Sequence, residues 1–177
     1  LEHLLDYLVR WLAGHILGSD QRMARWVRAL SEGKAPELVE ADAEVPAQLP
    51  VPRGGFVSFS PDDNRIAYNR IFREFRTWKN YRGGMADDIW IFDLKSGALE
   101  NITQNEAQDL FPMWAPNGKI YFVSERTGRG NLFSYDLATK ATKQLTRFTE
   151  YDVKFPSLGR GAVVFEQAGQ IWRLDLA

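Results

Sequence analysis

Residues 89–103, IWIFDLKSGALENIT, and residues 131–146, NLFSYDLATKATKQLT, are two copies of one pattern. Asp93 falls on Asp136 and Thr103 on Thr146, a spacing of 43 residues in both cases. Each copy opens on a short run in which apolar side chains alternate with others, the period of a strand with one buried face. A third copy, QIWRLDL, occupies residues 170–176. Asp93, Asp136 and Asp175 each end such a run, where an aspartate carboxylate bonds the backbone of the following hairpin, so they read as turn formers and not as catalytic acids.

The stretches upstream of these copies repeat as well: FSPDDNRIAY (59–68), WAPNGKIYF (114–122) and PSLGRGAVVF (156–165) each lead through a polar turn into a strand. Asp62, Asp63 and Asn64, and later Asn117 and Gly118, suit tight connections. Strands are predicted at FVSFS, RIAYN, DIWIFDL, KIYFV, NLFSYDL, AVVFE and QIWRLDL. A repeat of about 40–45 residues built of short strands has the size of one β-propeller blade. The expected fold is mainly β, a partial propeller with two complete blades and part of a third, preceded by an amphipathic α-helix and a linker. Propellers close with about four to eight blades, so this chain does not close one alone. Its open blade edges, and the apolar side of the helix, are where a homo-oligomer is expected to form.

The helix is predicted over residues 1–30, where Leu1, Leu4, Leu5, Leu8, Leu12, Ile16, Met23, Trp26, Val27 and Leu30 share one side of a 3.6-residue period. Because that pattern is already under way at Leu1, the sequence reads as a fragment. Residues 31–52 carry Pro36, Pro46, Pro50 and Pro52 with Glu32, Glu37, Glu40, Asp42 and Glu44 against Lys34, the composition of an extended linker. The expected organisation is therefore a helix at 1–30, a linker at 31–52 and blades over 53–177.

A net charge of −1 with 25% charged residues excludes a chain that binds nucleic acid or membrane through its overall charge. The one local patch is RIFREFRTWKNYR, residues 70–82, with Arg70, Arg73, Arg76, Lys79 and Arg82 interleaved with Phe72, Phe75, Trp78 and Tyr81, and Glu74 as its single acid. In isolation this is the composition of a nucleic-acid surface. It falls between RIAYN and DIWIF, where the other copy has only SERTGRG, so it reads as an elaborated loop or hairpin arm that turns back at Gly83 and Gly84. Arg73, Arg76, Lys79 and Arg82 are the candidate substrate-binding residues, since guanidinium groups match peptide carboxylates bidentately. Phosphate partners are not expected. The plainer alternative is a solvated basic face whose rings cap the blade.

Catalytic chemistry finds little to use in the repeats. The two histidines, His3 and His15, lie in the helical region, so no Ser-His pair is available among the strands, and no glycine-rich phosphate loop occurs. Asp87 and Asp88 are expected on opposite faces of a strand. With no cysteine and no apolar run near the roughly 20 residues of a membrane span, a cytoplasmic chain without membrane contact is expected.

Two family resemblances add to this reading. LLDYLVRWLAGHILGSDQRMARW, residues 4–26, resembles the last helix of bacterial hemerythrin-like domains, whose His-x-x-x-x-Asp pair supplies two di-iron ligands. The matching positions are His15 and Asp20. That family takes its other ligands from three preceding helices that have no counterpart in these residues, so the resemblance implies an incomplete site. No cofactor is expected, and di-iron only if the missing helices are supplied.

The second resemblance spans about residues 52–177. RIAYNRIFREFRTWKNYRGGMADDIWIFDL, NITQNEAQDLFPMW, KIYFVSERTGRGNLFSYDLATKATKQLT and EYDVKFPSLG look like the amino-terminal propeller of tricorn-type proteases. The blade repeats alone are shared with TolB-like and WD-type proteins; the Arg and aromatic insertion is what points to tricorn. The resemblance implies a large cytoplasmic serine peptidase that degrades oligopeptides, with propellers controlling passage to a separate catalytic domain. For these residues it implies a non-catalytic substrate-channel or gating segment, partnered by peptides or by the remainder of the protease and without activity of its own. The alternatives are a protein-interaction scaffold and a remnant hemerythrin-like iron or oxygen binder.

Overall fold

The computed structural model describes residues 31–33, 48–70 and 79–176. The chain divides into two compact units, Leu1–Gln48 and Leu49–Ala177, and the described strands all belong to the second. The expected helix at 1–30, with His15 and Asp20, lies outside the described residues, as does most of the expected linker.

The second unit is a series of antiparallel meanders. Strands β1 (Gly55–Phe59), β2 (Arg65–Asn69), β3 (Ile89–Asp93) and β4 (Leu99–Asn101) form the first sheet. Strands β5 (Asp109–Trp114), β6 (Lys119–Ser124), β7 (Asn131–Asp136) and β8 (Thr142–Gln144) form the second, and β9 (Lys154–Leu158), β10 (Ala162–Gln167) and β11 (Gln170–Asp175) the third. Two complete blades and three strands of another are the expected architecture.

Alternation puts the residues of each blade to opposite neighbours. Ala67, Ile89 and Ile91 leave one side of the first blade and meet Ile120, Phe122, Phe133 and Tyr135 of the second in one apolar core. Tyr121, Val123 and Leu132 leave the other side of the second blade and meet Val163 and Phe165 of the third. A smaller cluster of Ile66, Tyr68 and Phe92, covered by Val51, lies on the far side of the first blade. Both faces of the middle blade are buried, and β6 and β7 are accordingly buried along nearly their whole length.

Four strands escape the sequence reading. β4 and β8 are short, mostly exposed and polar, LEN and TKQ, with no alternation to detect. β5 and β9 carry Pro112 and Pro156 inside the run, which argues against a strand unless a bulge accommodates the proline. Bulges are present: the β5–β6 register shifts between Leu110 and Met113, and the β9–β10 register shifts at the matching place. Asp87 and Asp88 also depart from expectation, because β3 begins at Ile89 and both aspartates precede it.

The turn aspartates act as expected in two blades. Asp93 Oδ1 accepts from the Lys95 and Ser96 amides at 3.1 and 2.7 Å, and Asp136 Oδ1 accepts from Ala138 and Thr139 at 3.0 and 2.9 Å. These amide bonds hold both carboxyls below the usual carboxylate range. The Asp175 carboxylate takes the Arg173 guanidinium at 2.6 Å.

Candidate functional site

In a meander the connections alternate between the two rims of a blade. The β2–β3, β6–β7 and β10–β11 loops therefore share one rim with the crossings from blade to blade. These three loops shorten along the chain, with 19, 6 and 2 residues between their strands. The long one is the basic and aromatic insertion, so the rim on which it stands is the candidate site.

The rim is built on a repeated polar latch. Asp88 Oδ1 accepts from Thr103 Oγ1 and the Asn105 amide at 3.1 and 3.3 Å, while Oδ2 accepts from Asn101 Nδ2 at 2.7 Å. In the next blade, Asn131 Oδ1 accepts from Thr146 Oγ1 and the Phe148 amide at 2.9 and 2.8 Å. Thr103 and Thr146 each accept in turn from the first amide of the inner run, Ile89 and Leu132, both at 2.9 Å. The 43-residue repeat thus preserves a hydrogen-bond network that ties the third strand of a blade to the chain leaving for the next one.

Asn69 joins the first blade to the second. Its Nδ2 donates to the Asp88 and Asp109 carbonyls at 3.0 and 2.8 Å, and its Oδ1 accepts the Phe111 amide at 3.2 Å. Below it, Asp109 is fully buried. The carboxylate receives Arg126 Nη2 on both oxygens, at 3.1 and 3.0 Å, and also the Asn105 amide group. Arg126 Nε donates to Ser124 Oγ at 2.8 Å, and its guanidinium lies 4.9 Å from the Phe133 ring centroid. Burial pushes the Asp109 carboxyl up, against the opposing pull of Arg126 and the neighbouring hydroxyls. Removing Arg126 would leave the buried Asp109 carboxylate uncompensated, the costly way to break such a pair.

The end of the insertion lies across this network. Lys79 Nζ reaches Asp152 Oδ2 at 2.6 Å, the Asn80 amide donates to Glu125 Oε2 at 3.0 Å, and Arg82 Nη2 donates to the Arg126 carbonyl at 3.4 Å. The Gly83 amide then bonds the Glu106 carbonyl at 3.0 Å, and the Ala86 amide turns back to Gly83 at 2.8 Å. Gly83 has φ +134°, which favours glycine and fits the expected turn. Of the four candidate substrate residues, Lys79 and Arg82 therefore bond protein groups, and Arg73 and Arg76 lie outside the described residues.

Next to the insertion, Arg70, Gly84, Ala86, Asp88 and Trp90 line a pocket of about 280 Å³, with the Arg70 guanidinium 4.6 Å from the Trp90 ring centroid. Sequence reasoning did not single out Asp109, Arg126 or Asp152. Their roles depend on chain segments brought together by blade packing, and no local motif marks them. Among the described residues no group of three or more His, Asp or Glu side chains is placed to hold a metal ion.

Comparison with known proteins agrees with this architecture. The family profile described as the tricorn protease N-terminal beta propeller domain matches residues 20–177. The chain belongs to the tricorn protease N-terminal β-propeller family. The match begins inside the expected helix, ahead of the blades. A tricorn protease homolog from Saccharolobus solfataricus is 31% identical over 113 residues, covering 64% of this chain and 10% of the relative. The tricorn protease of Thermoplasma acidophilum is 31% identical over 110 residues, or 62% of this chain and 10% of that protein. The chain thus spans about a tenth of the length of these curated relatives.

Among solved structures, the crystal structure of the tricorn protease matches with a TM-score of 0.57 and 29% identity, over 67% of this chain and 11% of that one. A TolB protein from Agrobacterium tumefaciens matches at 0.55 with 22% identity, over 67% of this chain and 44% of that one, and shares the fold. Its blades are those of the tricorn propeller family, with a TolB-like architecture.

Proposed function

We propose that this segment forms part of the substrate channel, or of a gate to it, in a tricorn-type serine peptidase of the cytoplasm that degrades oligopeptides. In this reading the segment catalyses nothing itself, and the remainder of such a protease is its partner. The observation that carries the reading is the basic insertion of a tricorn-family blade, whose last residues lie on the rim that also carries the blade-to-blade crossings. Guanidinium groups attract a peptide's terminal carboxylate, and Arg73 and Arg76 are the proposed contacts. Residues 1–30 enter as a remnant of a hemerythrin-like helix in which His15 and Asp20 hold no stoichiometric iron. Metal analysis giving two irons per chain would overturn that part.

The test compares oligopeptides that end in a free carboxylate with the same peptides amidated. Loss of a charge-assisted bond predicts about tenfold weaker binding or more on amidation. Arg73→Ala and Arg76→Ala should each reduce that discrimination. Equal binding of the two peptide forms would remove the channel reading and leave a protein-interaction scaffold.

A further inference from the structure

Residues 79–83 touch more of the rim than their length requires. Within five residues the chain contacts the β4–β5 crossing at Glu106, the β6–β7 loop at Glu125 and Arg126, and the β8–β9 crossing at Asp152. The first and third blades pack on opposite faces of the second. The Lys79 and Asp152 pair is therefore a tie across two blade interfaces, between residues 73 positions apart in sequence.

The anchor for this tie is built before the lysine arrives. Asp152 Oδ1 accepts the Gly130 amide at 3.0 Å, and the Val153 amide bonds the Gly130 carbonyl at 2.7 Å. A Cβ added to Gly130 would lie 3.2 Å from the Asp152 Cβ, so glycine at this position permits the close approach. The Asp152 side chain is 13% exposed and that of Lys79 58%. Burial alone would raise the Asp152 carboxyl, yet Lys79 and the Gly130 amide together hold it low. On the insertion side, Asn80 adopts φ +56°, a left-handed conformation that asparagine tolerates and that turns the chain from Lys79 toward Glu125.

We propose that residues 79–83 are a strap that fixes where the basic insertion leaves the rim, and that Lys79 and Arg82 are positioning residues and not ligand contacts. The inference rests on the peptide-channel reading for its purpose and on the contacts above for its existence. It divides the candidate cations: Lys79 and Arg82 bond the body of the protein, and Arg73 and Arg76 remain the proposed ligand contacts.

Amide hydrogen exchange at Asn80 and Gly83, measured on the full chain, tests the strap without any ligand. Lys79→Met or Asp152→Asn should speed exchange at Asn80 by about threefold to fivefold, the scale of a partly exposed ion pair. The double variant should add nothing further. Asp152→Asn keeps an oxygen to accept the Gly130 amide, so its effect reports the lost charge alone. Raising salt from about 0.05 to about 1 M should reproduce the loss in the wild type and have little effect in Lys79→Met. Unchanged exchange in the single variants, or additive effects in the double, overturns the strap.

Peptide affinity then separates positioning from contact. Lys79→Met and Asp152→Asn should weaken binding of the free-carboxylate peptide alike, although Asp152→Asn leaves the lysine in place. Binding lost in Lys79→Met but unchanged in Asp152→Asn would make Lys79 a ligand contact and overturn its positioning role. A wild-type chain that binds neither peptide form refutes the channel reading, while the exchange data still judge the strap.

Discussion

Asp88 and Asn131 occupy the same place in consecutive blades and receive the same two donors, a threonine hydroxyl and the amide two residues later. Asp88 differs in receiving Asn101 Nδ2 on its second oxygen as well. Asp88→Asn keeps one acceptor but sets an amide NH2 against Asn101, so it should cost less than Asp88→Ala, which leaves all these donors unmatched and should cost about 1–3 kcal/mol in urea unfolding. Carboxyl titration by NMR should separate the aspartates by environment. Asp93 and Asp136 should titrate below the unfolded value of about 3.9, and Asp109 above it. The linkage has opposite signs. The contribution of Asp93 and Asp136 is present above the unfolded value and lost as pH falls through their lowered folded values, while that of Asp109 declines as pH rises from the unfolded toward its raised folded value. If Asp109 titrates together with the turn aspartates, Arg126 outweighs burial. The 43-residue spacing of Thr103 and Thr146 was legible in the sequence. The network joining them to Asp88 and Asn131 was not, because it depends on a crossing folding back beside its own strand.

Each blade begins on a strand with the same irregularity. Phe56, Phe111 and Phe155 have φ of 50°, 56° and 48°, and each stands at a register shift of its strand. An aromatic residue in the left-handed region is strained, so packing must hold it there. Phe111 meets that condition, packing against the second core and lying edge-on to Phe56 at 4.6 Å between ring centroids. Phe155 is 76% exposed and has little packing to lose. The same substitution should then act in opposite directions. Phe111→Gly should lower stability by about 3 kcal/mol, from lost ring burial. Phe155→Gly should be neutral or stabilising by up to about 1 kcal/mol, since relief of the left-handed strain offsets glycine's greater unfolded freedom. Equal urea midpoints for the two variants would contradict this account. Alternation exposed seven of the eleven strands. It could not expose β5 and β9, whose proline and bulge break the period, or β4 and β8, which cover too little apolar surface to leave a pattern.

Along the whole chain, each blade covers one face of its predecessor. Tyr121, Val123 and Leu132 of the second blade are buried by the third. The matching face of the third blade carries Val164 and Ile171, with Ile171 76% exposed. Exposed apolar surface on a sheet is a site of association. In sedimentation experiments Ile171→Lys should raise the concentration at which the chain self-associates. Its unfolding free energy should shift by no more than about 0.5 kcal/mol, as for an exposed position. Unaltered association would mean that this face is not the one used.

Local chemistry by itself determined the blade repeat, the turn aspartates and the size of the insertion, because strand period and turn preference act over a few neighbouring residues. Only the tertiary structure decided the partners of Lys79 and Arg126. Lys79 and Asp152 meet across two blade interfaces, and Arg126 finds Asp109 beneath the rim, at distances set by how sheets stack and not by any spacing along the chain.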